Sequence, residues 1–142
     1  PEATAKAFTD GWFHTGDVGR WDADGYLTIV DRKKDMIVTG GENVYPREVE
    51  EVLYRHPAVL EAAVVGMADP VWGESVVAII ATRDGEATDA AALIRHCRDH
   101  IASYKKPKAV AFIAELPKNA SGKVLKRTLR DMLADGGLML ER

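Results

Sequence analysis

The sequence predicts an α+β fold: a small mixed β-sheet flanked by helices and preceded by a β-hairpin. Three observations lead there. An Asp24-Gly25 step lies between runs rich in β-branched and aromatic residues, the pattern of a hairpin turn. Beyond residue 35, short apolar runs alternate with stretches of helical periodicity in the order β, α, β, β, α, β, α, which suits helices packed on a sheet. One run, Ser75–Ala81, is almost continuously apolar, as expected of a central strand.

The elements follow in order. Residues 18–31 form the hairpin, turning at Asp22-Ala23-Asp24-Gly25. The charged run Asp31-Arg32-Lys33-Lys34-Asp35 cannot be a core strand and marks a boundary. Met36–Thr39 is a short strand stopped by Gly40-Gly41, a pair that permits positive φ and close approach of another molecule. Pro46 opens a helix whose apolar face is Val49, Val52 and Leu53. Its early glutamates and late Arg55 and His56 suit the helix dipole, and Pro57 helps to end it. A strand at about Ala62–Val65 follows, then a turn at Asp69-Pro70 and the strand Ser75–Ala81. Thr88 is placed to cap a helix carrying Leu93, Ile94, Cys97 and Ile101 on one side. Lys105-Lys106-Pro107-Lys108 breaks that pattern before a strand at Val110–Ile113. Val124, Leu125, Leu129, Met132 and Leu133 mark the last helix, with Ser121 as its expected cap and Gly136-Gly137 at its end.

The totals exclude several function classes. The 142 residues suffice for one ordinary domain, or a small domain and a fragment. A net charge of −3 argues against a general nucleic-acid binder. The single cysteine, Cys97, rules out an intrachain disulfide and a cysteine metal cluster, and its place on an apolar stripe makes it a core thiol. His96 and His100 stand at i, i+4, but no HExxH glutamate accompanies them. They read as a solvated polar face, and no metal site is expected. No signal peptide or transmembrane run is visible, so a cytoplasmic location is expected. The start PEATAKAF lacks Met and reads as the middle of a longer chain.

Three stretches look chemical. In PKNASGKVLKR, Ser121-Gly122-Lys123 resembles part of a phosphate loop. A P-loop requires G-x-x-x-x-G-K-[ST], yet Pro117 stands where the first Gly belongs and Val124 follows the lysine. A helix start explains Ser121 but not Lys123, Lys126 and Arg127, whose charges oppose the helix dipole in its first turns. Local rules break most often at functional sites, so a lysine awaiting an anion is the alternative. In Trp12-Phe13-His14-Thr15-Gly16-Asp17, the carboxylate has two acceptor oxygens and can take both hydroxyls of a sugar; a simple turn is equally compatible. In DRKKDMIVTGGEN, a charged loop and a glycine turn compete with a ligand-positioning Arg, a pivot and a backbone lying against a narrow substrate.

Taken together, GWFHTGD, DRKKDMIVTGGENVYPREVE and LPKNASGKVLKR resemble the C-terminal part of the adenylate-forming superfamily, which includes acyl-CoA synthetases, firefly luciferase and peptide-synthetase adenylation domains. The resemblance spans essentially the whole chain. GGENVYPREVE and the later YKKPK are most similar to fatty-acyl-CoA ligases and their coumarate-CoA ligase relatives. What the resemblance implies is an acid–thiol ligase. A carboxylic acid reacts with ATP to give an acyl-adenylate and pyrophosphate, and coenzyme A then displaces AMP. By position, Asp17 is implied to bind the ribose hydroxyls, Arg32 to contact the nucleotide, and Lys34 to be the hinge, where many members carry Asp. Gly40 and Gly41 would form the loop facing the pantetheine channel, and Lys123 would be the adenylation lysine. Residues 1–33 would be the tail of a large N-terminal domain and 34–142 a mobile C-terminal domain. The phosphate loop, acyl pocket and Mg2+-binding glutamate would lie in that missing N-terminal domain, its expected partner. The fragment alone is expected to be inactive. A free-standing, non-catalytic module binding CoA or a partner through the same fold is the alternative.

Overall fold

Period-two burial in the long strands builds the core of this protein, whose computed structural model describes residues 1–142. The elements in chain order are α1 (Glu2–Ala7), β1 (Phe8–Thr9), β2 (Trp12–Phe13), β3 (Asp17–Trp21) and β4 (Leu27–Arg32). A 3-10 turn, Lys33–Asp35, leads to β5 (Ile37–Thr39), β6 (Glu42–Val44), α2 (Pro46–Leu53), β7 (Val59–Asp69) and β8 (Gly73–Thr82). Then come α3 (Ala90–His100), a second 3-10 turn (Ser103–Lys105), β9 (Ala109–Phe112), α4 (Lys126–Ala134) and β10 (Leu140–Glu141).

Strands β7 and β8 pair antiparallel along their length, while β8 and β9 pair parallel, so the six-stranded sheet is mixed. Its order is β10-β9-β8-β5-β6, with β7 also on β8. Successive side chains of a strand face opposite ways. Ala62, Val64, Val76, Ala78 and Ile80 accordingly share one cluster with α2 and α3 residues such as Val49, Leu53, Leu93 and Cys97. Ala63, Val65, Val77 and Ile79 face the other way, against Leu129 and Leu133 of α4. Both faces of the sheet are covered, which explains why β8 reads as an unbroken apolar run.

The hairpin β3–β4 is a separate two-stranded sheet. Its turn is held by the Asp22 carboxylate, which accepts the N–H groups of Asp24 at 3.0 Å and Tyr26 at 2.8 Å. Asp31 of β4 accepts the Arg47 N–H at 2.9 Å, and so ties the hairpin to the start of α2.

Several expectations need correction. Thr88 does not cap α3; Asp89 does, accepting the Ala92 N–H at 2.7 Å, and the Thr88 hydroxyl is buried without a partner. Ser121 does not cap α4, which starts at Lys126 with Leu125 before it and no side-chain cap. Val124 and Leu125 therefore precede that helix. The strand expected at 62–65 runs from Val59 to Asp69, because both its faces find covered partners. The strands β1, β2, β6 and β10 and the helix α1 are too short to leave a periodic signal. His96 is no solvated residue: its ring stacks edge-on against His56 at 5.2 Å, and its Nε2 meets the Val52 carbonyl at 3.0 Å. His100 turns back to the His96 carbonyl, with Nδ1 at 2.8 Å.

This histidine cluster has a pH consequence. Burial, reinforced by the His96 ring and opposed in part by Glu86, holds His56 below its usual value of 6.5. The unfolded chain then takes up the proton before the folded one does, so stability falls as the pH drops below that value. Denaturant midpoints measured between about pH 8 and about pH 5 should show this decline, and His56→Gln should flatten it. An unchanged pH slope in that variant would mean that the cluster does not carry the effect.

Candidate active site

Antiparallel pairing places Asp17, the first residue of β3, opposite Arg32, the last of β4. The Arg32 Nε donates to Asp17 Oδ1 at 2.8 Å, and its guanidinium reaches the Thr15 carbonyl at 3.4 Å. The Thr15 hydroxyl accepts the Asp17 N–H at 3.1 Å, and the Gly16 carbonyl accepts the Lys33 N–H at 2.8 Å. One carboxylate oxygen is thus engaged by a cation. The other remains an acceptor for a hydroxyl donor.

Arg32 also lines a cleft of about 730 Å³ between the hairpin end, α2 and the start of α4. Lys34 and Lys123 share it. The cleft is strongly basic, since Arg47, Lys126, Arg127 and Arg130 line it too, against Asp31, Asp35 and Glu50. Most of this charge is internally paired: Lys126 with Glu50 at 2.8 Å, Arg130 with Asp35 at 3.0 Å, and Arg47 with Glu51 at 3.1 Å. Those pairs leave Lys34, Lys123 and Arg127 without a carboxylate partner. The acids are spoken for as well, with Asp31 taking the N–H groups of Arg32 and Arg47. No open set of carboxylates is left for a divalent cation, whereas an anion would meet unpaired cations.

Lys123 stands on a tight loop rather than a helix. Lys118 and Val124 pair as an isolated bridge, and Leu125 N–H donates to the Pro117 carbonyl at 2.8 Å. Below the loop, Lys118 is ion-paired with Glu61 of β7, and Leu116 is buried.

Gly40 and Gly41 form the β5–β6 turn with φ of 59° and 84°. They lie away from the cleft in the sense that no residue lines both sites. Gly40 N–H donates to the Trp72 carbonyl at 2.9 Å. A Cβ on Gly40 would lie 2.8 Å from Trp72 Cε3, so the absence of a side chain is what lets the indole rest on the turn. Gly40, Trp72, Tyr104, Lys106 and Lys108 line a small pocket of about 220 Å³. Gly41, one residue on, does not line it.

Sequence reasoning missed Trp72, Tyr104, Lys106 and Lys108, although YKKPK was visible as a break in pattern. Asp69 organises this side. Its Oδ1 accepts the N–H groups of Val71 at 2.9 Å and Trp72 at 3.0 Å, while Oδ2 meets the Ser75 hydroxyl and Lys108 Nζ, the latter at 3.5 Å. These bonds, the Ser75 hydroxyl foremost, hold its carboxyl well below the usual carboxylate range. Lys108 Nζ in turn lies 4.9 Å from the centre of the Trp72 ring, within cation–π reach.

Cys97 is a buried core thiol, pushed up to about 11 by burial, and so is unreactive at neutral pH. No helix is long and apolar enough to cross a membrane.

Residues 48–123 match the family described as AMP-binding enzyme C-terminal domain. The chain is 48% identical over 134 residues to the 2-succinylbenzoate–CoA ligase of Bacillus mycoides, covering 94% of this chain and 27% of that protein. Among solved structures, ATP-bound MatB from Rhodopseudomonas palustris superposes with a TM-score of 0.88 at 40% identity, over 95% of this chain and 27% of its own. The amide bond synthetase McbA from Marinactinospora thermotolerans superposes with a TM-score of 0.82 at 43% identity, over 92% and 27%. The chain thus spans about a quarter of the length of the relatives it matches.

Proposed function

This chain belongs to the AMP-binding enzyme C-terminal domain family, and we propose that it is the mobile C-terminal domain of a longer acid–CoA ligase. In that reading the whole enzyme joins a carboxylic acid to ATP, releasing pyrophosphate, and then passes the acyl group to the thiol of coenzyme A, releasing AMP. The observation that carries the proposal is the basic cleft in which Lys123 lies without a carboxylate partner beside Arg32 and Lys34.

The first step brings a carboxylate to an anionic triphosphate, so repulsion is a large part of its barrier. An ammonium placed between the attacking oxygen and the α-phosphate offsets that charge; this is the role proposed for Lys123. Asp17 would accept hydroxyl hydrogens of the ribose with its free carboxylate oxygen, while Arg32, already fixing its other oxygen at 2.8 Å, contacts the nucleotide. The basic cleft does not fit Mg2+, so any such ion accompanying ATP would be held by the missing N-terminal domain.

For the second step, we assign Gly40 and Gly41 to the pantetheine arm. The pocket beside them offers an aromatic wall, Trp72 and Tyr104, and two cations, Lys106 and Lys108, which suits a narrow chain with phosphates. The two sites share no lining residue, and one rotation of the domain is proposed to exchange them. Lys34, within the 3-10 turn that joins the hairpin to the six-stranded sheet, is the proposed pivot. The separate hairpin sheet supports assigning residues 1–33 to the preceding domain and 34–142 to the moving one.

The acid is proposed to be a fatty acid, on the likeness of GGENVYPREVE and YKKPK to fatty-acyl-CoA ligases. A relative named for 2-succinylbenzoate is 48% identical to this chain over 134 residues, which supports placing acid selection outside this domain.

The test is to express the longer protein and measure acid-dependent ATP–pyrophosphate exchange and CoA-dependent AMP release with a panel of acids. Both activities are expected in the longer protein and neither in the 142-residue chain alone. Absence of acid-dependent exchange with every acid, or robust turnover by this chain alone, would overturn the reading.

A further inference from the structure

The geometry points to Asn119 as the residue that positions Lys123 for the adenylation step. Its side-chain oxygen Oδ1 accepts hydrogen bonds from the Ser121 N–H at 3.1 Å, the Ser121 hydroxyl at 2.8 Å and the Lys123 N–H at 2.9 Å. Its backbone closes the same loop: the Asn119 N–H donates to the Lys123 carbonyl at 2.9 Å, and its carbonyl accepts the Gly122 N–H at 2.9 Å. Gly122 makes the turn with φ of 80° and open space around it.

This is a division of labour between core and loop. The base of the loop is set from below by buried Leu116, by the Lys118–Glu61 ion pair and by the bridge from Lys118 to Val124. None of those contacts reaches Ser121 or the Lys123 N–H. The tip is shaped through Asn119 alone.

A carbonyl oxygen has two lone pairs. Three donors therefore occupy it fully, and it has no capacity left for a ligand. Asn119 is thus a positioning residue, acting through Lys123, and does not touch reacting atoms. The side-chain type matters. An sp² oxygen on the γ-carbon reaches amides two residues and more ahead, as Asn and Asp do and Ala cannot. Lys123 itself is exposed and pairs with no carboxylate, so its backbone alone decides where the flexible side chain can reach.

This inference rests on the role proposed above for Lys123, and its test keeps the two apart. In the longer protein, Asn119→Ala should lower kcat for acid-dependent ATP–pyrophosphate exchange by about 10- to 100-fold, the cost of a misplacement of about 1 Å. The KM for ATP should change by less than about threefold, and thioester formation from supplied acyl-adenylate should be unaffected. Asn119→Asp, which keeps the accepting oxygen, should recover the rate to within about fivefold of the parent. In the 142-residue chain, hydrogen exchange at the Ser121 and Lys123 amides should quicken about tenfold in Asn119→Ala and stay slow in Asn119→Asp.

Parental exchange kinetics in Asn119→Ala, an equal loss in both half-reactions, or failure of Asn119→Asp to recover the rate would overturn the positioning role. If instead Lys123→Ala keeps full exchange activity, it is the functional reading that fails. The amide measurement still decides whether Asn119 holds the loop.

Discussion

Replacing Lys123 by alanine in the longer protein is expected to lower acid-dependent ATP–pyrophosphate exchange by about 100- to 1,000-fold. That is the typical cost of removing one preorganised group that stabilises transition-state charge. The reason for so large an effect is local. Arg47, Lys126 and Arg130 are each bound to a carboxylate within 3.1 Å and would have to break their own pairs to replace the missing ammonium, which leaves Lys34 and Arg127 as the unpaired cations of the cleft that set the residual activity. The loss should be selective. Thioester formation from supplied acyl-adenylate is proposed to use the Gly40 side of the domain, with which the Lys123 cleft shares no residue, and should proceed at the parental rate. Equal loss of both half-reactions would refute the role given to Lys123. Lys123→Arg keeps the charge but spreads it over a planar fork, and should recover only part of the exchange activity.

Gly40→Ala is expected to do the reverse. Gly40 has φ of 59°, and its added Cβ would sit 2.8 Å from Trp72 Cε3 and 3.1 Å from Cζ3. The left-handed backbone costs a non-glycine residue about 1–2 kcal/mol. The contact with Trp72 cannot be tolerated at all, so the half-exposed indole must leave the turn. Movement of that wall opens the small pocket between Gly40 and Tyr104, and the thioester half-reaction should slow by about 10- to 100-fold. Acid-dependent ATP–pyrophosphate exchange should not change. Gly41→Ala is the matched control. It carries the backbone strain, with φ of 84°, but no atom lies within 4 Å of the new Cβ. A thioester rate equally impaired in both variants would mean that strain in the turn, or a new Cβ facing the pantetheine arm, and not the seat of Trp72, matters.

Much of the architecture was legible in the residues. The hairpin announced itself through Asp24-Gly25, and the central strand through the apolar run of β8. The buried thiol followed from the stripe Leu93, Ile94, Cys97. Each is a short-range property, set by neighbours within a few positions. The helix boundaries were read less well for the same reason. Ser121 has the chemistry of a cap, but Asn119, two residues earlier, takes the Ser121 hydroxyl and the Lys123 N–H for a loop of its own. Thr88 likewise loses α3 to Asp89. Two capping residues in a row cannot be ranked without the backbone path. His96 looked solvated because arginine and aspartate surround it in sequence. Its ring is half-buried only because α2 brings the Val52 carbonyl and His56 to it.

By itself, then, the sequence determined the class of fold and the central strand, because these depend on periodicity and on local turn chemistry, while the three motifs stood out only by their likeness to a family. Tertiary structure decided what those motifs share. It set Arg32, Lys34 and Lys123 in one cleft, and gave Gly40 a tryptophan to lean on. It also left Lys123, with Lys34 and Arg127, without a counter-ion while pairing Arg47, Lys126 and Arg130. Those outcomes depend on which strands meet and on which charges pair. Contacts between distant segments are fixed by the packing of the whole sheet between its helices, and no single stretch of residues encodes them.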